Sequence, residues 1–169
     1  KLNTNDFTPK PGITPGLAVE YAGMLKDLGV DMIEVSCGSS IFSYMNMCRG
    51  DVAVKELVQS MPFWKKPVAW FMINSLKGKY DLDEGYNTIA ARSIRPVTGE
   101  IPLAVVGGMR SLDKMSQAVT DQDADLISMS RPFIREPFII KKFQENGQCH
   151  PEVEGSIPST SCTRAIFFI

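Results

Sequence analysis

The sequence predicts an α/β fold in which consecutive strand–helix units build a parallel sheet. Short β-branched and apolar runs alternate with amphipathic stretches, the order that βαβ units produce. The runs end in turn chemistry, at Cys37-Gly38, Gly107-Gly108 and Arg131-Pro132, where a strand hands over to the next element. With 169 residues, 44% of them hydrophobic and 22% charged, the chain can bury one real core.

Lys1-Leu2-Asn3 reads as a short first strand. Thr14-Pro15 is an N-cap followed by proline at the first helical position, and the helix it opens places Leu17, Tyr21, Met24, Leu25 and Leu28 on one face before Gly29 ends it. Val30 to Ser36 is a buried strand whose polar alternates, Glu34 and Ser36, point to the opposite face, and Cys37-Gly38-Ser39-Ser40 turns the chain. Residues 41–80 are rich in aromatic residues and methionine without a clean period, and they read as a long excursion with a short helix near Val54 to Met61.

A firmer helix starts at Leu82 or Asp83, with Tyr86, Ile89, Ala90 and Ile94 inward, and Pro96 and Gly99 stop it. Ile101 to Val106 is the next strand and Gly107-Gly108 its turn. Ser111 then caps a helix with Leu112, Met115, Ala118 and Val119 inside. Asp125 to Met129 is the last strand, Arg131-Pro132 ends it, and Pro137 to Gln144 form a final helix. The domain spans residues 1–145, and residues 146–169 form a tail.

The count is four parallel strands, half of the eight that close a TIM barrel of typically about 250 residues. The architecture expected is therefore a half TIM barrel, (β/α)4, with helices on the outer face. Four strands leave unpaired edges and an uncovered inner face, so a homodimer or a complementary N-terminal half barrel is expected as partner.

Lys+Arg 18 against Asp+Glu 19 gives a net charge of −1, which provides no basic field for a nucleic acid. No apolar run is long enough to span a bilayer and no leader pattern is visible, so no membrane association and a cytoplasmic location are expected. The chain begins at Lys1 rather than methionine, which fits a natural half barrel or a piece of a longer one. Cys37, Cys48, Cys149 and Cys162 lie far apart without a CxxC, and one histidine, His150, stands beside Cys149; thiols and no metal site are expected.

Gly107-Gly108 and Ser130-Arg131 both follow buried strands, at the end of the sheet where α/β proteins bind ligands. Glycines let backbone N–H groups approach a phosphate, and an arginine fork supplies counter-charge. The pair reads equally as a tight βα turn without ligand, and Arg131 equally as half of a surface ion pair. Lys1 and Glu34 fall on one face of the sheet and can pair there, for structural or for binding reasons. No residue declares itself catalytic, His150 in the tail included.

Six segments carry a family resemblance: Lys1-Leu2-Asn3 with Asp6-Phe7; Gly29 to Ser36; Met47 with Arg49-Gly50; Pro62 to Pro67; Pro102 to Arg110; and Ala124 to Phe133. Together they resemble the C-terminal half of the old yellow enzyme family of NADH:flavin oxidoreductases, near its 2,4-dienoyl-CoA reductase-like branch. The resemblance implies an FMN-binding TIM barrel that passes hydride from NAD(P)H through flavin to an activated alkene, a small-molecule ligand. It matches Lys1 to the basic residue at the flavin pyrimidine, Gly107 and Gly108 to the backbone phosphate clamp, and Ser130 and Arg131 to the second phosphate loop.

Departures accompany the match. The family's ring-packing strands and its His/Asn or His/His substrate anchor have no counterpart here. Ser130 stands where many relatives have glycine. After Cys162, Thr163-Arg164-Ala165 lacks the next cysteine of the branch's cluster motif, so no iron–sulfur cluster is expected. The alternative function is a non-catalytic half-barrel remnant that self-associates or binds a partner as a structural protein.

Overall fold

Parallel pairing on both sides of a central strand sets the architecture. The computed structural model describes residues 1–8, 11–39, 58–75 and 83–146. Its strands are β1 (Leu2–Asn3), β2 (Ile33–Ser36), β3 (Leu103–Val106) and β4 (Leu126–Ser128), paired in sequence order and all parallel. The helices are α1 (Pro15–Asp27), α2 (Lys66–Asn74), α3 (Thr88–Thr98), α4 (Leu112–Thr120), α5 (Arg131–Arg135) and α6 (Ile139–Asn146). This is the expected α/β class, and the four-stranded parallel sheet is consistent with a half barrel. The expected boundary at 145/146 and the tail beyond it meet the end of the described residues.

The register sorts side chains by face. Ile33 pairs with Leu103 and Val35 with Val105, and these four are completely or almost completely buried against the helices. Their neighbours fall on the opposite face because side chains alternate along a strand. That face carries Asn3, Ser36, Val106 and Ser128 in one row, and Glu34, Ala104 and Leu126 in the row below. The core lies between sheet and helices, where Ala22, Ala91, Ile94, Met115, Ala118 and Phe143 cover the strands.

Helix α1 starts as expected, with Thr14 extended and its hydroxyl accepting from the Leu17 N–H. The face it buries differs from the expectation. Ala18 and Ala22 are turned inward, with Val19 and Leu25 partly buried, whereas Met24 is 57% and Leu28 80% exposed. The reason is close packing of α1 on α3, where small side chains let the helices approach.

In α3, likewise, Ala91, Ile94 and Thr98 are buried while Ile89 stays 72% exposed. This helix begins at Thr88, after a turn, rather than at residue 82 or 83, and it runs through Pro96. Proline is tolerated there because only the last turn loses a hydrogen bond; Gly99, at φ 62°, ends the helix.

Helices α2 and α5 depart from the sequence expectation: α2 lies within the stretch without a period, and α5 starts at the Arg131-Pro132 pair expected to stop the chain. Of the helix expected near Val54 to Met61, residues 54–57 lie outside the described residues. Val119, expected inside α4, is largely exposed.

Two arginines of α3 tie the helix layer to the loop before β4. Arg92 donates through Nε and Nη2 to both carboxylate oxygens of buried Asp123, each at 2.7 Å. Arg95 donates to Asp125 Oδ2 at 2.7 Å and to the Gln122 carbonyl at 3.2 Å. The same Asp125 oxygen accepts the Leu103 N–H at 2.7 Å, fastening the entrance of β3.

That backbone N–H, helped by Arg95, holds the Asp125 carboxyl below the usual carboxylate range. A carboxyl depressed in the folded chain adds stability above its unfolded value of about 3.9, and the gain is lost as pH falls through the lower folded value. Asp125→Asn should therefore cost up to about 1 kcal/mol at neutral pH, the ion pair being exposed to screening. Urea titrations should find the cost shrinking in acid. The α1–α3 contact predicts a second asymmetry. Ala22→Leu should destabilise by about 1–3 kcal/mol through overpacking, while Leu28→Ala should move the urea midpoint hardly at all, within about 0.5 kcal/mol.

Candidate functional site

Val106 of β3 pairs with Ser128 of β4, so Gly107-Gly108 and Met129-Ser130-Arg131 leave neighbouring strands at the same edge of the sheet. The two loops singled out from sequence are thus brought together by register. Lys1 is not beside them. It precedes β1, and its Nζ lies 3.2 Å from Glu34 Oε1, the pair expected on the inner face. Glu34 shares a row with Ala104, and Gly108 stands four residues beyond Ala104, about 13 Å further along the strand direction. Lys1 and the Gly107–Arg131 end can therefore meet a single ligand only if it is extended across the inner face.

Between them, at the end of β1, the Asn3 amide nitrogen donates to Asp6 Oδ1. A carboxylate only accepts, which fixes the orientation of the carboxamide. Asn3 Oδ1 is then buried without a partner among the described residues. Asp6 Oδ2 accepts the Ile13 N–H at 2.7 Å, and Thr4 Oγ1 donates to the Ser36 carbonyl at 2.8 Å, closing the end of β1 onto β2.

The glycine pair is shaped by the turn that leads into α3. Gly107 (φ 153°) and Gly108 (φ 67°) both have positive φ, where L side chains are strained. A Cβ on Gly108 would lie 2.7 Å from the Asp83 carbonyl, and one on Gly107 3.0 Å from the Asn87 carboxamide and the Tyr86 ring. Glycine at both positions is therefore required by protein packing, which is the turn reading of the pair. Gly107 is itself buried and Gly108 half-buried.

Residues 84–87 also hold this loop by hydrogen bonds. Gly85 N–H donates to the Gly107 carbonyl at 2.9 Å, and the buried Asn87 carboxamide donates to the Val106 carbonyl. Glu84 Oε2 accepts from the Arg110 N–H at 3.3 Å, the Ser111 N–H at 3.0 Å and the Ser111 hydroxyl at 2.8 Å. Ser111 has the extended backbone of a cap, but its side chain makes no cap bond to α4. The start of α4 is served instead by a carboxylate from another segment, favourable at a helix N-terminus. Glu84 and Asn87 were missed from sequence. Asn87, just before a helix, carried a capping signal; Glu84 carried none.

On the β4 side, Ser130 is exposed, and its carbonyl accepts from Phe133 N–H at 3.0 Å and Ile134 N–H at 3.1 Å. Arg131 is half-buried at the start of α5. A cleft of about 140 Å³ opens between α3 and α4, lined by Glu84, Thr88, Arg92, Lys114, Asp121 and Asp123 among others, on the helix side of the loop.

Cys37 is not part of a disulfide; Cys48, Cys149, His150 and Cys162 lie outside the described residues. Among the described residues no cluster of three or more His, Cys, Asp or Glu side chains could hold a metal, and no helix is long and apolar enough to cross a membrane.

No protein-family model matches the sequence. Among curated proteins, a 4,4'-dithiodibutanoate disulfide reductase of Rhodococcus erythropolis is 29% identical over 145 residues, covering 85% of this chain and 35% of its own length. An NADH-dependent flavin oxidoreductase, iccE, of Talaromyces variabilis is 32% identical over 141 residues, 82% of this chain and 27% of its own. A second, iliE, of Neonectria sp. (strain DH2) is 31% identical over 124 residues, 73% of this chain and 14% of its own. The chain thus spans about a third or less of the length of the curated relatives it matches.

The glycine geometry is open to test by stability. Gly108→Ala should cost more than about 1 kcal/mol, from positive φ and the approach to the Asp83 carbonyl. Gly16→Ala, in the first turn of α1 with open space around it, should stabilise by about 0.4–1 kcal/mol in the same denaturation assay.

Proposed function

The chain is a homologue of NADH-dependent flavin oxidoreductases, consistent with an old yellow enzyme-like family, and on that basis we propose that it is the phosphate-binding half of an FMN site. The observation that supports this most is the Val106–Ser128 pairing, which delivers Gly107-Gly108 and Ser130-Arg131 to one edge. The residues fit a phosphate end. A glycine loop whose Cβ directions face the 83–87 turn stands one strand away from half-buried Arg131.

In this reading the Gly107 and Gly108 N–H groups donate to phosphate oxygens, Arg131 adds charge-assisted hydrogen bonds, and the Ser130 hydroxyl lies beside them. Lys1, held by Glu34, offers a cation to the far end of an extended cofactor. Flavin, when bound, supplies hydride chemistry, with NAD(P)H as donor and an activated alkene as acceptor. The inner face and both edges of the sheet call for a covering partner, a second copy or an N-terminal half barrel. Turnover belongs to the completed assembly, because positioning of the reacting groups needs surfaces that four strands do not provide.

A second reading, the non-catalytic remnant, is favoured by one observation. Packing alone accounts for Gly107 and Gly108, and Glu34 alone for Lys1, so the scaffold stands without a ligand. One titration separates the two. FMN added to the purified chain should bind with quenched flavin fluorescence, and Arg131→Ala should weaken binding roughly ten- to a hundredfold. Unchanged affinity in that variant removes Arg131 from the site. Wild-type chain that takes up no FMN favours the remnant. NADH oxidation by chain plus FMN should stay at the free-flavin background; robust turnover would mean that four strands suffice for catalysis.

A further inference from the structure

Resting on the phosphate-site reading above, we propose that Glu84 and Asn87 are positioning residues that aim the Gly107 and Gly108 N–H groups at the anion and withhold the Arg110 and Ser111 N–H groups, just ahead of α4, from it. Peptide geometry sets these directions. In a planar trans peptide the N–H of one residue points opposite to the carbonyl of the residue before. The Val106 carbonyl accepts from Asn87 and the Gly107 carbonyl from Gly85. Both carbonyls therefore face the 83–87 turn, and the N–H groups of Gly107 and Gly108 face away from it.

The next stretch does the reverse. The Arg110 and Ser111 N–H groups point back to Glu84 Oε2, which takes both of them and the Ser111 hydroxyl. A helix N-terminus is ordinarily a ready anion site, but the two N–H groups that lead into this one are already taken by an internal carboxylate. Of the backbone N–H groups between Gly107 and Ser111 that these bonds orient, a phosphate is left with the outward glycine pair, beside Arg131. This division costs something, since Glu84 places negative charge near the ligand. It is useful only if the hold on the loop outweighs the repulsion.

That balance separates the carboxylate's hydrogen bonds from its charge. Glu84→Gln keeps an acceptor oxygen and loses the charge; Glu84→Ala loses both. Inorganic phosphate and then FMN are titrated into the full chain, followed by ¹H–¹⁵N NMR and flavin fluorescence. In wild type the Gly107 and Gly108 amide resonances should shift, and those of Arg110 and Ser111 far less. Glu84→Ala should weaken FMN binding about tenfold, Glu84→Gln should stay within about threefold of wild type or bind more tightly, and Asn87→Ser should weaken binding about as much as Glu84→Ala.

Glycine shifts in wild type with unchanged or tighter binding in Glu84→Ala overturn the positioning role alone, making the carboxylate a bystander or a competitor. If Glu84→Ala does not fold, Asn87→Ser decides, and unchanged affinity there overturns the proposal. Wild-type chain whose glycine resonances ignore both probes overturns the phosphate site and this inference with it.

Discussion

Everything at the candidate site depends on β3 being paired in parallel on both sides. A parallel ladder brings the C-terminal ends of neighbouring strands to one edge, so the segments after Val106 and Ser128 must emerge side by side. The pairing also fixes the faces: a one-residue slip between β2 and β3 would put Glu34 where Ile33 is now buried and turn the apolar row toward solvent. The fully buried side chains of Ile33, Val35, Leu103 and Val105 thus do more than fill space. They set the register that carries the two loops to one place.

Ion pairs and hydrogen bonds around β3 refine what the ladder sets. Asp125 fastens the entrance of the strand through the Leu103 N–H. At its exit the 84–87 turn takes the carbonyls of Val106 and Gly107. Both clasps come from segments flanking the helix layer, so α3, with Arg92 and Arg95 bound to the loop before β4, is the lever that connects them. Buried Asp123, gripped at both oxygens by Arg92, is a paired charge of the kind whose loss of one partner is expensive.

Strands and their ends were legible in the sequence because apolar β-branched runs closed by glycine or proline have few other readings; Leu103–Val106 falls within the run seen there. Helix faces were less legible. In α1, Ala18, Ala22 and Leu25 share one helical spacing while Tyr21, Met24 and Leu28 share another, and size favours the wrong one. Which stripe turns inward is decided by α3, whose own buried residue Ala91 allows close approach. The site divided in the same way. Gly107, Gly108 and Arg131 could be found because turn chemistry is local. Glu84 could not, because its partners lie 26 and 27 residues further on and only the fold brings them within reach.

The locality of these contacts also bears on what a half barrel can keep. The 84–87 turn, the glycine loop and the β4 loop all belong to one continuous stretch, residues 84–131, and their mutual hydrogen bonds close within it. An anion site assembled there owes nothing to strands on the other side of a barrel. The inner face is different. Lys1, Glu34, Ser36 and Leu126 lie on the face opposite the buried row of Ile33, Val35, Leu103 and Val105, and a far wall there would have to come from beyond the described residues. A planar ring laid on that face would be gripped from one side, with water on the other, where electrostatic interactions are weak and orientation is loose. Binding of a phosphate and catalysis on a ring are therefore separable in this fold, and the first requires less of the barrel than the second.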